Sequence, residues 1–394
     1  MYPLIFLLAL IIRIAWIAFG GAVNLGMSAD PLRGDAFDYD AIAQALASGN
    51  GFQSAGMPTA FRAPGYPYFL ASGYVIFGHS VLAIQLTQAG LSAATAVLIA
   101  YLGERGAGKR VGLIAGVGAV LYHYSIYATS WLVSETLFLF LWVIGLIALV
   151  VFEQKGRLAF SVLAGFALGL ATLVRPASLL TVMLWGGVGI FFLAKTRQAK
   201  RGWLVFVVIA FLTIMPWTIR NFVTFNEIIP LSTNGGYVFY GANNADAFGG
   251  QREGFPPILA NLGEAERDRE YFRRGLEWIQ AHPGDFASLL AQKLVRLGSP
   301  LSVSSFERSI VTPVDWVIYP VWFVLGAIAL VGAGLMFKSD ARIALVLCVS
   351  VIATCLTALI FFGSTRYAVP MMPALILFAS VTLDAAWRKR SFTL

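Results

Sequence analysis

Trp131-Leu-Val-Ser-Glu135-Thr-Leu-Phe-Leu-Phe-Leu-Trp142-Val-Ile-Gly-Leu-Ile-Ala-Leu-Val-Val151 is an apolar run interrupted by one ionisable side chain. At about 1.5 Å of rise per residue, such a run spans the roughly 30 Å hydrocarbon layer of a bilayer as a single helix. Similar runs lie at about 3–23, 80–101, 111–129, 159–174, 177–194, 203–219, 315–337, 342–362 and 367–386. The expected fold is therefore an all-α integral membrane protein with about ten transmembrane helices, a single polytopic domain over residues 1–394. Composition agrees. The 394 residues are 58% hydrophobic and only 12% charged, with mean hydropathy +0.77, against about 25% charged in soluble globular chains. A soluble enzyme, a disordered chain and a nucleic-acid binder are excluded together.

The first run carries Arg13 in its middle and has no basic stretch ahead of it, so it reads as a retained helix and not as a cleaved secretory signal. The two cysteines, Cys348 and Cys355, share one apolar run. Seven residues on a helix is a rise of about 10 Å, beyond the roughly 7 Å that a disulfide tolerates between Cα atoms.

The net charge of +8 has a topological reading. With a cytoplasmic N-terminus, half of the 28 Lys and Arg fall in short inner loops and the C-terminal tail, from Arg105, Lys109 and Arg110 to Arg388, Lys389 and Arg390. The shorter outer segments hold only Arg33, Arg62, Arg175 and Arg366. Lys and Arg accumulate on the cytoplasmic side of short loops, which places both termini in the cytoplasm. Two long segments, about 24–79 and 220–314, then lie outside. No inverted repeat is visible, against the usual plan of secondary transporters.

Inner cations are orientation signals; outer charges need another reason. In Gly34-Asp35-Ala-Phe-Asp38-Tyr39-Asp40-Ala, the apolar pattern predicts a helix from Asp38 onward, with Asp35 just ahead of it as a cap or near-cap. Asp38 and Asp40 then read as a solvated helix face. Arg62 precedes a turn fixed by Pro64, Gly65 and Pro67. Arg175, Arg220 and Arg366 are isolated in Leu173-Val-Arg175-Pro176, Pro216-Trp-Thr-Ile-Arg220-Asn221 and Gly363-Ser-Thr-Arg366-Tyr367. Glu135 is placed one turn inside its helix, where an ionisable group is expensive and functional by default. One acidic loop, one shallow glutamate and four lone arginines map to one face. Guanidinium suits phosphate because it is permanently charged and binds in a two-pronged fashion. Beside a carboxylate able to act as general base, that is the equipment for group transfer from a lipid-linked phosphate.

Other signals carry less. Gly103 to Arg110 is one residue short of a phosphate-binding loop and follows no strand. Gly112/Gly116 and Gly165/Gly169 have the spacing of close helix packing. His79, His123 and His282 lack metal-ligand spacing; His123, among Tyr122, Tyr124 and Tyr127, lies near the outer end of its helix. The stretch 251–297 mixes charges with Leu262, Tyr271, Phe272 and Trp278 and reads as interfacial helices, either a lid or an inert cap.

Taken in order, several segments resemble the C-type membrane glycosyltransferase superfamily, in particular bacterial members related to protein O-mannosyltransferases and the lipid A aminoarabinose transferase. They are Gly34-Asp35-Ala36 with Tyr39, Phe61-Arg62-Ala-Pro-Gly-Tyr66-Pro67, Ser134-Glu135-Thr136, Gly169 to Pro176, Pro216 to Asn221, Ser232 to Tyr237 with Gly241-Ala-Asn-Asn244, and Arg366-Tyr367 with Pro370. The resemblance implies an inverting transferase that moves a sugar from a polyprenyl-phosphate carrier to a hydroxyl acceptor (lipid, glycan or protein) on the extracytoplasmic face of a bacterial inner membrane. Asp35 would be the catalytic carboxylate. Arg62, Arg175 and Arg366 would hold the phosphate, with Glu135, Arg220, Tyr39, Tyr66, His123 and Tyr367 in support. No cofactor is required, although Asp35 with Glu135 could hold a divalent cation. Asp35-Ala36 stands where protein O-mannosyltransferases carry an Asp-Glu dyad, and the sequence closes soon after the tenth span. Both departures make protein O-mannosylation the less expected activity. The rival readings are an outer-face ligase or polymerase of lipid-linked glycans, a lipid or sugar-phosphate transporter, and a non-catalytic scaffold.

Overall fold

The computed structural model describes residues 1–19, 32, 34–250, 262–299 and 313–391. The end of the first apolar run, Asp30, Arg33 and the parts of the two long segments at 20–31, 251–261 and 300–312 lie outside the described residues, as do the side chains of Lys389 and Arg390.

Helices make up nearly all of it. In chain order they are α1 (Tyr2–Phe19), α2 (Asp35–Ala47), α3 (Gly65–Phe77), α4 (Val81–Ala107), α5 (Lys109–Leu121), α6 (His123–Tyr127), α7 (Glu135–Lys155), α8 (Leu158–Val174), α9 (Leu179–Val188), α10 (Arg197–Phe225), α11 (Gly235–Gly241), α12 (Glu264–Ala281), α13 (Pro283–Leu297), α14 (Pro313–Ser339), α15 (Ala341–Ile360), α16 (Thr365–Ala368) and α17 (Met372–Ser391). The strands, β1 (Gln53–Ser54) and β2 (Met57–Pro58), form one short antiparallel hairpin between α2 and α3.

Among the described residues eight helical segments are long and apolar enough to cross a membrane, and α5 with the turn after it makes a ninth as a pair bent by 52°. Helix α8, at 17 residues, is one residue shorter than the shortest of those eight segments. Each apolar run is thus helical over most of its described residues, and the all-α membrane architecture holds. The bundle interior is aromatic and small: Trp142 stacks near Trp185 at 4.9 Å, and Trp203 meets Phe206 edge-on at 5.6 Å. Gly165 and Gly169 let α8 lie directly on α10. A Cβ on Gly165 would stand 2.5 Å from the Phe206 carbonyl oxygen, and one on Gly169 would stand 2.7 Å from Thr213 Cβ.

The bend after α5 has no proline, and Arg13 is bonded to both sides of it. This side chain is 1% exposed in the middle of α1. Its Nη1 donates to the Ala9 and Val120 carbonyls and its Nη2 to that of Ala119 and to Ser125 Oγ, while Nε donates to Ser92 Oγ at 2.6 Å. The carbonyls of Ala119 and Val120 belong to the last turn of α5, whose acceptors have no partner within their own helix. Arg13 supplies the missing donors. Replacement by leucine strands the Ala119 and Val120 carbonyls in an apolar interior at about 1–3 kcal/mol each. Arg13→Leu is therefore expected to lower the melting temperature of the purified protein sharply, whereas Leu8→Ala on the exposed side of the same helix is not.

Candidate active site

The first long segment, the start of α7, the end of α8 and the start of α16 converge on one cluster of charge. Helix α2 begins at Asp35 itself, with Gly34 at the cap position and no side-chain cap. The expected helix start at Asp38 and the capping role of Asp35 are both corrected, because the Asp35 carboxylate is taken by arginines. Its Oδ1 is 2.7 Å from Arg62 Nη2 and its Oδ2 is 2.8 Å from Arg366 Nη1. Glu135 is also displaced from expectation. Residues 131–134 are not part of the long helix, and Glu135 is the first residue of α7 rather than one turn inside.

Glu135 is the inner node. It is 2% exposed, and its Oε1 accepts from Arg366 Nε at 2.5 Å and Tyr124 Oη at 3.3 Å and forms an ion pair with Arg175 Nη1 at 2.8 Å. Arg366 bridges the two carboxylates through Nε and Nη1, a span that a planar guanidinium can make and an ammonium point charge cannot. Arg175 leaves the end of α8 just before Pro176, and its plane also faces the Phe138 and Tyr367 rings at 5.9 and 5.8 Å. Gly65 makes the approach of α3 to this corner close. A Cβ there would stand 2.7 Å from Val174 and 3.0 Å from the Leu173 carbonyl.

Arg62 extends the chain of charges outward, with Nε and Nη2 on Asp38 Oδ2 at 3.0 and 2.7 Å. Burial alone would push the Asp35 carboxyl up. Arg366 and Arg62 outweigh it and hold the group well below the usual carboxylate range. Asp35, Asp38 and Glu135 balance Arg62, Arg175 and Arg366 charge for charge, so the cluster offers no net negative charge to a metal. A divalent cation at Asp35 and Glu135 would have to displace Arg366, and no group of three or more His, Cys, Asp or Glu gathers as a metal site among the described residues.

The supporting residues divide. Tyr39 lies under Arg62 at 5.4 Å and meets Tyr66 edge-on at 5.0 Å; Tyr66 donates to Gln88 Oε1 at 2.8 Å. Tyr39, Tyr66 and Tyr367 thus wall or support the cluster. His123 does not join its ion pairs, packing instead against Tyr122 and Trp322. Arg220 does not reach Asp35 or pair with the other arginines. It donates to the Thr59 and Phe52 carbonyls at 2.7 and 2.8 Å and braces the hairpin that leads into Arg62.

Asp38 and Asp40 are not the solvated face expected. Asp38 pairs with Arg62. Asp40 is 6% exposed and ties α2 to α3 by accepting from Tyr74 Oη at 2.5 Å and Gln44 Nε2 at 2.7 Å, with His79 Nε2 at 2.9 Å. In the sequence Tyr124 stands out only as one tyrosine beside His123, and Glu264 only as one charge of the stretch 251–297. The latter, first residue of α12, accepts from the Ala60 N–H at 2.7 Å, Thr59 Oγ1 at 2.8 Å and Thr233 Oγ1 at 2.5 Å. It latches the charged helix of the second long segment onto the loop that carries Arg62.

Residues 61–219 match the family model for dolichyl-phosphate-mannose-protein mannosyltransferase. No curated protein matches the chain significantly by sequence. Among solved structures, ArnT from Cupriavidus metallidurans bound to undecaprenyl phosphate is similar over 97% of this chain and 61% of its own, at 16% identity and TM-score 0.56. The oligosaccharyltransferase AglB from Archaeoglobus fulgidus, in complex with an inhibitory peptide and a dolichol-phosphate, is similar over 98% of this chain and 50% of its own, at 14% identity and TM-score 0.56. The apo form of the Archaeoglobus fulgidus oligosaccharyltransferase reaches TM-score 0.59 at 13% identity, over 99% of this chain and 51% of its own. The chain thus spans between half and about three fifths of the length of these structures. Segment 61–219 thus matches a mannosyltransferase family model, and over nearly its whole length the chain has the fold of ArnT and AglB.

Proposed function

We propose that the chain transfers a sugar, with inversion, from a polyprenyl-phosphate carrier to a hydroxyl acceptor on the extracytoplasmic face. The observation that carries this reading is the bridge of Arg366 between Asp35 and Glu135, with Arg175 behind it and Arg62 on the other oxygen of Asp35. The undecaprenyl phosphate and dolichol-phosphate bound in the similar ArnT and AglB support a lipid-phosphate donor.

Within the cluster, carboxylate contacts occupy one nitrogen of Arg175 and two each of Arg62 and Arg366, out of five N–H donors per guanidinium. A phosphodiester arriving at Arg366 and Arg175 takes the remaining donors and competes for those now on carboxylates. That competition solves a chemical difficulty. A carboxylate held by two guanidinium groups is a poor base, and a general base works best when its pKa approaches the operating pH. Donor binding draws Arg366 toward phosphate and returns basicity to Asp35 when it is needed.

The acceptor hydroxyl then gives its proton to Asp35 while its oxygen attacks the anomeric carbon. The bond from that carbon to the phosphate oxygen breaks, and the electron pair leaves with the carrier phosphate. The extra negative charge on the departing phosphate is met by arginines already in place, which favours the transition state over the ground state.

The test is incubation of the purified protein with a panel of radiolabelled polyprenyl-phosphate sugars. Release of free carrier phosphate from at least one is expected. Movement of an intact lipid across a proteoliposome membrane without release would establish the transporter instead, and turnover only with diphosphate carriers would establish the ligase.

A further inference from the structure

A cavity of about 410 Å³ is lined by Arg62 but by none of Asp35, Arg175 and Arg366. Asp38 lines it too, with Glu264, Asp268, Tyr237 and Tyr271 and with Arg267. Three carboxylates against two guanidinium groups make it a poor place for an anion, unlike the corner at Arg175 and Arg366.

Its polar groups are held in place. Glu264 is fixed by its three donors, and Asp268 Oδ1 accepts the Gly236 N–H at 2.6 Å. Burial pushes the Asp268 carboxyl up to about 6, against the pull of that N–H. Tyr237 and Tyr271 meet edge-on at 5.7 Å and provide rigid apolar faces with polar tips. Immobile carboxylates set among aromatic faces suit a ring that carries hydroxyls on its edge and C–H bonds on its face. The volume falls in the usual range of small-ligand sites, about 300–1,000 Å³.

We propose that this cavity is the acceptor subsite and that it takes an uncharged polyhydroxylated acceptor, a sugar residue, in preference to a peptide or an aliphatic alcohol. The proposal rests on the transfer reading above. An inverting displacement needs the incoming oxygen and the leaving phosphate on opposite sides of the anomeric carbon. Asp35 has Arg366 on one oxygen and Arg62 on the other. Phosphate at Arg366 and Arg175 therefore leaves the Arg62 side for the acceptor. Helix α12 is the cover of that cavity, held down at Glu264.

The experiment is saturation-transfer NMR on the purified full chain in detergent. The probes are the methyl glycosides of glucose, mannose and galactose, with N-acetyl-Ala-Ser-Ala-amide and 1-propanol as competitors of other classes. At least one glycoside is expected to receive saturation, with a signal at least fivefold lower in Asp268→Asn and in Tyr271→Ala. Both variants should still bind undecaprenyl phosphate, which shows that they are folded. Arg366→Ala should do the reverse, keeping the glycoside signal and losing undecaprenyl phosphate. The proposal is overturned if the peptide or propanol matches the glycosides, or if the glycoside signal survives both cavity substitutions. Undecaprenyl phosphate binding without any glycoside signal would remove the subsite and spare the transfer reading. A glycoside signal without undecaprenyl phosphate binding would remove the transfer reading and the acceptor role with it.

Discussion

Asp35→Asn is expected to cut turnover by about 10²–10⁴-fold, the usual worth of a general base, while undecaprenyl phosphate still binds. The amide has the shape of the carboxylate and keeps an oxygen for Arg62 or Arg366, so the cluster should not collapse. Its charge changes from balanced to one excess positive, which favours an anionic donor. Binding unchanged or tighter together with lost turnover is a pattern that a transporter built on the same arginines would not give. The pH dependence has a fixed sign as well. Arg366 and Arg62 hold the Asp35 carboxyl well below its ordinary range despite its burial. The stability it contributes is present above the ordinary carboxylate range and is lost as pH falls through its depressed value. Melting temperature of the wild type should therefore fall on acidification by more than that of Asp35→Asn. An Asn variant that turns over within tenfold of wild type would take the base role away from this residue.

The spans and the charged cluster were legible for the same physical reason. An apolar run long enough to cross a bilayer is hard to explain otherwise, and a lone charge beside one is costly enough to stand out. Arg175 and Glu135 are conspicuous in Leu-Val-Arg-Pro and Val-Ser-Glu-Thr, and they do meet, at 2.8 Å. Asp38 and Glu264 are not conspicuous, since a carboxylate in a polar loop carries no cost that would mark it. Glu264 also finds Thr59 across 205 residues of chain, a pairing that no local pattern encodes. Arg220 shows the opposite failure. It is as isolated in sequence as Arg175, yet backbone carbonyls of the hairpin satisfy it as well as a ligand would. Isolation marks a charge that needs a partner without saying whether the partner is substrate or backbone. The start of α2 misled for a related reason. A carboxylate ahead of an apolar pattern resembles a cap, and only the fold reveals that Arg62 and Arg366 claim it first.

Arg366→Ala is expected to weaken undecaprenyl phosphate binding by about 10- to 150-fold, the equivalent of one charge-assisted hydrogen bond at about 1.5–3 kcal/mol. It should also lower the melting temperature, because Glu135 is buried and keeps only Arg175 as its cationic partner. Arg366→Lys separates these two effects. An ammonium restores the charge but cannot reach Glu135 and Asp35 together as the planar fork does, so it should recover most of the melting temperature and little of the affinity. Asp35 adds a third readout. In the alanine variant it loses the largest force that holds its carboxyl down, and becomes a better base in an enzyme that binds its donor poorly. Under saturating donor, kcat should therefore fall less than kcat/KM. Equal losses in both would mean that Arg366 acts only in the transition state. Binding as tight as wild type would place the phosphate elsewhere, and the bridge between Asp35 and Glu135 would then be no more than a structural tie.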